Sequence, residues 1–165
     1  MDQVERLIEQ LNKDRTAMQR ALSRLDVGTE VCPGWTIKEV LAHISGWDAV
    51  GTSIVRAHLA GEQPPPLGVR GIDAYNAYLV AGCETMTYEE IVEDWRRARK
   101  QFVYALTETP QEKLRDRIQF PWGEMGNIPR LVSILSEHER EHAREIMELA
   151  STGAGDPAEV GEETE

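Results

Sequence analysis

Apolar residues recur every third or fourth position along four long stretches of this chain, with charged residues filling the gaps. In the first stretch, about Asp2 to Leu25, the residues Val4, Leu7, Leu11, Met18, Leu22 and Leu25 share one helix face. The loop from Val27 to Gly34 ends it. A second helix opens where Thr36 and Glu39 make a capping box, with Trp35 and Val40 as the staple across it. Its apolar face uses Ile37, Val40, Leu41, Ile44 and Trp47. The proline run between Gly61 and Gly68 breaks the pattern, and a short helical piece from about Ile72 to Val80 follows as an insertion.

Thr87 and Glu90 repeat the capping chemistry, stapled by Met86 and Ile91, and Ile91, Trp95, Ala98, Phe102 and Leu106 continue as a stripe. Pro110 closes that helix. The last one is expected from about Asn127 to Ala150, with Pro129 tolerated in its first turn. No stretch carries a convincing strand alternation. The pattern predicts an all-α four-helix bundle over residues 1–150, with a long connection between helices two and three. Residues 151–165 are Gly, Pro and acid rich and read as a disordered acidic tail.

Charge narrows the function. The chain carries a net charge of -11, to which Asp156, Glu159, Glu162, Glu163 and Glu165 contribute from the tail. That balance disfavours nucleic acid and anionic membrane surfaces as partners. No apolar run approaches membrane-spanning length. The two cysteines, Cys32 and Cys83, fit no metal or redox spacing, and the N-terminus does not read as a signal peptide, so a cytoplasmic protein is expected.

Candidate chemistry sits on the last helix. Its core-facing side is marked by Ile128, Leu131, Val132, Leu135, Ala143, Ile146 and Leu149, and His138, Glu139 and His142 fall inside that stripe. Histidines four apart on a helix share a face and can hold one metal ion. His43, at the margin of the second helix's apolar stripe, is the third candidate ligand. Burying such groups on an apolar face is costly unless they are paired, hydrogen-bonded or metal-bound. His58, near the proline run, reads as surface.

The segment from His138 to His142 also matches H-E-x-x-H, in which Glu139 would activate a metal-bound water. A metalloprotease is disfavoured, because no further histidine follows and no strand is expected to orient a peptide. Glu139 stays a candidate general base or a partner of the ligands; alternatively, a slight helix rotation lets it reach solvent. Trp47, Asn76 and Trp122 are candidate pocket residues.

The run Gly34-Trp-Thr-Ile-Lys-Glu-Val-Leu-Ala-His-Ile-Ser-Gly-Trp-Asp48, followed by His138-x-x-x-His142, resembles the DinB/YfiT-like superfamily. Its members include DinB-like proteins, bacillithiol transferases, the N-terminal domain of mycothiol-dependent maleylpyruvate isomerases, and the ClbS/DfsB branch, which the Trp122-Gly123 loop also suits. The resemblance implies a four-helix bundle with a three-histidine divalent-metal site mapping to His43, His138 and His142, and a possible homodimer. Two functions are weighed. The first is a metal-dependent small-molecule enzyme using zinc, nickel or iron, of thiol S-transferase or hydrolase type, in detoxification or stress response. A low-molecular-weight thiol would be its co-substrate. The second is a non-catalytic, ClbS/DfsB-like protein that sequesters a reactive metabolite.

Overall fold

The computed structural model describes residues 1–153, so the expected acidic tail lies almost wholly outside the described residues. Four long helices, α1 (Gln3–Leu22), α2 (Ile37–Ala60), α4 (Tyr88–Thr107) and α5 (Ile128–Ser151), form the bundle. A shorter α3 (Ile72–Gly82) is inserted in the connection after α2. The four-helix expectation holds, and both expected capping residues sit where the chemistry demands. The Thr87 N–H donates to Glu90 at 2.7 Å while the Glu90 N–H donates back to Thr87 Oγ1 at 3.2 Å. At α2, Glu39 accepts from the Thr36 N–H at 2.7 Å. Asn127 caps α5 by accepting from the Arg130 N–H at 2.9 Å. Asp2 and Glu5 make a further box at α1, where the sequence pattern had not singled one out.

The strand-free expectation is corrected in two places. β1 (Glu30–Cys32) pairs antiparallel with β2 (Trp35–Thr36), and β3 (Ile118–Gln119) with β4 (Met125–Gly126). Strands of two or three residues are too short to show alternation, and their turns carry the real signal. Gly34 and Gly123 adopt φ of 81° and 97°, a region that L side chains avoid.

Packing does not follow chain order. α1 lies chiefly against α5 and α2 against α4, with α2–α5 and α1–α4 contacts closing the ring. The core falls into two apolar clusters stacked along the bundle. One holds Leu7, Leu11, Ile54, Phe102, Leu106, Leu131 and Leu135; the other holds Met18, Ala21, Ile37, Leu41, Ile44, Ile91, Trp95 and Ile146.

Each long helix contributes a buried charge to one shared group, Arg15 on α1, Asp48 on α2, Arg99 on α4 and Glu139 on α5, whereas Asp14, also buried on α1, instead accepts from Ser136 Oγ on α5. Arg99 clasps Asp48 through Nε (3.0 Å) and Nη2 (3.1 Å), and its Nη2 also donates to Glu139 Oε2 at 2.7 Å. Arg15 donates to Asp48 Oδ2 at 2.9 Å and stands in ion-pair contact with Glu139 Oε1 at 2.8 Å, although that N–H is not aligned for a hydrogen bond. Each guanidinium also donates once to the backbone, Arg15 Nη1 to Trp95 O and Arg99 Nη1 to Leu11 O. Arg15 also lies over the Trp95 ring at 3.9 Å. Two positive and two negative charges thus cancel inside a layer that ties all four helices. Burial, with Arg99 close by, pulls the Arg15 guanidinium down to about 10, still protonated at neutral pH.

Among the described residues, no helix is long and apolar enough to cross a membrane.

Candidate metal centre

α2 and α5 carry the three histidines to one point. His43 Nε2 lies 2.6 Å from His138 Nε2, and His142 Nε2 lies 3.2 Å from the same atom. One nitrogen from each ring falls within 4.8 Å of the others. His138 and His142 meet because four residues advance a helix by about one turn. His43 joins them because α2 packs on α5 at the level fixed by the charged layer, whose members Asp48 and Glu139 sit on these same helices.

The electrostatics favour the ligating form. Burial, reinforced by His138 and His142, pushes the His43 imidazole down to about 3. Burial and His142 push His138 down to about 4. Both rings are therefore neutral at pH 7 and present lone pairs. His142 Nδ1 sits 2.9 Å from Glu145 Oε2, so the carboxylate fixes the proton on Nδ1 and turns the Nε2 lone pair toward the other histidines.

The donor set fits a divalent ion. Nitrogens each about 2.0–2.1 Å from a tetrahedral zinc stand roughly 3.3 Å apart. The His138–His142 spacing of 3.2 Å already matches. The His43–His138 pair, at 2.6 Å, has only to part slightly. Without an ion, two nitrogen atoms this close share at most one proton. Three imidazoles suit zinc, nickel or iron alike.

Beside His43 and His138 opens a cavity of about 470 Å³, the size of a small-molecule site. Its lining includes Trp47, Asn76 and Trp122, the three pocket residues expected from sequence. The Trp47 indole N–H donates to Asn76 Oδ1 at 2.8 Å, which pins α3 onto α2. Trp47 also meets Trp122 edge-on, with ring centroids 5.8 Å apart.

Glu139 is placed elsewhere. It is 0% exposed and its two oxygens face Arg15 and Arg99, so it neither reaches solvent nor lines the cavity. The acids that do line it on α5 are Glu137 and Glu141. Two residues turn a helix by about 200°, which sends alternate acids to opposite faces. His58 is not the surface group expected: it is part-buried, with Nε2 3.1 Å from Lys113 O, and joins the end of α2 to the segment before β3.

Residues 11–139 match the mycothiol maleylpyruvate isomerase N-terminal domain, a span that contains His43 and His138 and stops short of His142. The chain belongs to this family, within the DinB-like superfamily. Its fold matches the crystal structure of a mycothiol-dependent maleylpyruvate isomerase, with a TM-score of 0.75 and 15% sequence identity over 88% of this chain. A histidine-to-alanine mutant of a mycothiol-dependent maleylpyruvate isomerase matches with a TM-score of 0.74, again at 15% identity. The alignment covers 61% of each of those longer chains. No curated protein matches by sequence.

Proposed function

We propose that this chain is a metal-dependent enzyme acting on a small molecule, in which His43, His138 and His142 hold one divalent ion at the edge of the Trp47–Trp122 cavity. The observation that carries the reading is the convergence of three imidazoles, two of them driven neutral by burial, beside an open cavity. A divalent ion there would supply Lewis acidity, stabilising a thiolate or a hydroxide at neutral pH. Membership of a family named for mycothiol dependence favours a low-molecular-weight thiol as co-substrate. A thiol S-transferase is thus preferred over a hydrolase.

The chain's own residues divide the remaining work. Glu145 orients His142. The buried layer of Arg15, Asp48, Arg99 and Glu139 holds α2 and α5 in the register that brings the ligands together. That makes Glu139 a positioning residue in this reading, and it leaves Glu141, which lines the cavity one residue before His142, as the acid able to accept a proton from a bound thiol or water. Trp47, held by Asn76, and Trp122 wall the cavity and limit water around the reacting group.

The test begins with elemental analysis of wild type and His138→Ala/His142→Ala protein, each checked by circular dichroism. Near-stoichiometric zinc, nickel or iron in wild type, lost in a still-helical variant, is expected. Thiol consumption with model electrophiles then follows. No metal, even after reconstitution, would remove the metalloenzyme reading. Metal without turnover of any thiol or ester would leave a sequestering protein.

A further inference from the structure

Asn76, half-buried on α3, lines the cavity beside His43 with only one end of its carboxamide engaged. An indole N–H donates and cannot accept, so the atom that meets Trp47 Nε1 at 2.8 Å is the amide oxygen Oδ1. That contact fixes which way round the carboxamide sits. Nδ2, with two N–H groups, has no partner among the described hydrogen bonds and stays open to solvent.

The wall around it is short of donors. The Trp47 N–H is spent on Asn76, and that of Trp122 turns to Glu124 at 3.3 Å. Glu137 and Glu141 are carboxylates, which only accept. Arg130 holds Glu124 through Nε at 2.8 Å, and its guanidinium is half-exposed to water. Apart from the histidines, the Asn76 amide is therefore the one uncharged side-chain donor that the lining leaves for a ligand. It is also held firm. Tyr75 meets the Trp47 ring edge-on at 5.2 Å, and Leu79 fills the notch over Gly46, so α3 is seated on α2 on either side of Asn76. A donor oriented before the ligand arrives gives up little further freedom on binding.

Trp47 follows His43 by four residues on α2, an advance of about 6 Å. The amide it holds thus serves the part of a ligand about one helical turn along α2 from the histidine nitrogens. We propose that Asn76 is a specificity-determining residue, whose Nδ2 donates to a carbonyl-type oxygen of the molecule held at the three histidines. Ligands that offer an acceptor at that point are selected over those that offer only hydrocarbon or a donor. The inference rests on the reading of the cavity as the substrate site of a metal centre, and it adds the second polar group that a substrate must carry.

Two matched thiols test it. N,N-dimethyl-3-sulfanylpropanamide has a tertiary amide that accepts but cannot donate, and 3,4-dimethylpentane-1-thiol is the hydrocarbon of the same shape. Both present the same thiol to the metal, so the ratio of their affinities cancels the contribution of the ion and its charge. Asn76→Asp keeps an oxygen for the Trp47 N–H and replaces the two free N–H groups with a second acceptor. Calorimetry on the zinc-treated full chain, with metal content measured in parallel, should give an amide-to-hydrocarbon ratio about tenfold lower in the variant than in wild type. Two-dimensional NMR of nitrogen-labelled protein reads the contact directly. The Asn76 side-chain amide, identified by its loss in Asn76→Asp, should shift downfield with the amide thiol and not with the hydrocarbon. The Trp47 indole N–H should keep its position in the variant, because α3 stays docked; if it moves, the wild-type shift alone decides. An affinity ratio unchanged by Asn76→Asp with α3 docked, an Asn76 amide unmoved by the amide thiol, or no binding of that thiol would overturn the proposal. If wild type takes up no metal and the ratio still falls in the variant, the metalloenzyme reading fails and this one stands. Metal uptake with an unchanged ratio does the reverse.

Discussion

Replacing Glu139 with glutamine keeps the shape of the side chain and removes one charge from the centre of the bundle. In the native layer the two carboxylates balance two guanidinium groups, Glu139 contacting Arg15 at 2.8 Å and Arg99 at 2.7 Å. Glu139→Gln leaves Arg15 and Arg99 facing Asp48 alone, a net positive charge at a position that is 0% exposed. The glutamine NH2 also turns a donor toward donors. Breaking a buried pair from one side costs about 3–5 kcal/mol. That is a large part of the roughly 5–15 kcal/mol that keeps a domain folded. A chain of this size should lose on the order of 10 °C in Tm. Thermal and urea unfolding of the metal-free protein, followed by far-UV circular dichroism at pH 7, would read it. The companion Arg99→Met/Glu139→Gln restores neutrality, with Arg15 and Asp48 still paired at 2.9 Å, and should regain part of the loss. Were Glu139 the catalytic base, its replacement would abolish turnover while leaving Tm within about 1 °C of wild type. That result, or a double variant less stable than the sum of the two single changes, would refute the reasoning.

Glu145→Gln removes the carboxylate that fixes the His142 tautomer, at a half-exposed position; metal affinity should fall about 10–100-fold by competition with a chelator, with Tm of the metal-free protein nearly unchanged. Gly46→Ala would place a Cβ 2.3 Å from Leu79 Cδ2, forcing Leu79 or α3 outward. The expected loss is about 1–3 kcal/mol in urea, with increased proteolysis of α3 relative to wild type. For the metal-free protein, the folded-state values of about 3 for His43 and about 4 for His138 lie below the ordinary 6.5. The unfolded chain therefore takes up protons first as the pH falls. The stability these histidines contribute is complete above about pH 6.5 and declines toward pH 4, by up to about 1.4 kcal/mol per pH unit for each ring. Unfolding curves at pH 7.5 and 5.5 would show it, and His43→Gln should flatten the slope.

Local chemistry made the helices legible. The starts of α2, α4 and α5 follow from Thr36, Thr87 and Asn127, because a cap is settled by residues within one turn of it. The i,i+4 pair His138 and His142 was readable for the same reason. Glu139 was placed on the buried face correctly, but its partner was not. Arg15, Asp48 and Arg99 each interrupt an apolar stripe in their own helix, between Leu11 and Met18, Ile44 and Val55, and Trp95 and Phe102 respectively. Those three interruptions were the available signal for the charged layer, and only together with Glu139 do the charges cancel.

The sequence alone determined the helices, their caps, the apolar faces and the candidate ligands, since each depends on neighbours a few residues away. Tertiary structure decided that α2 packs on α5, that His43 completes the histidine pair 95 residues further along, and that Glu139 serves two arginines and not the cavity. Helical periodicity fixes which face of a helix is buried, but not which helix it meets or at what height. Here the height is tied to four charges, one per helix, that are stable in an apolar core only when they lie at the same level.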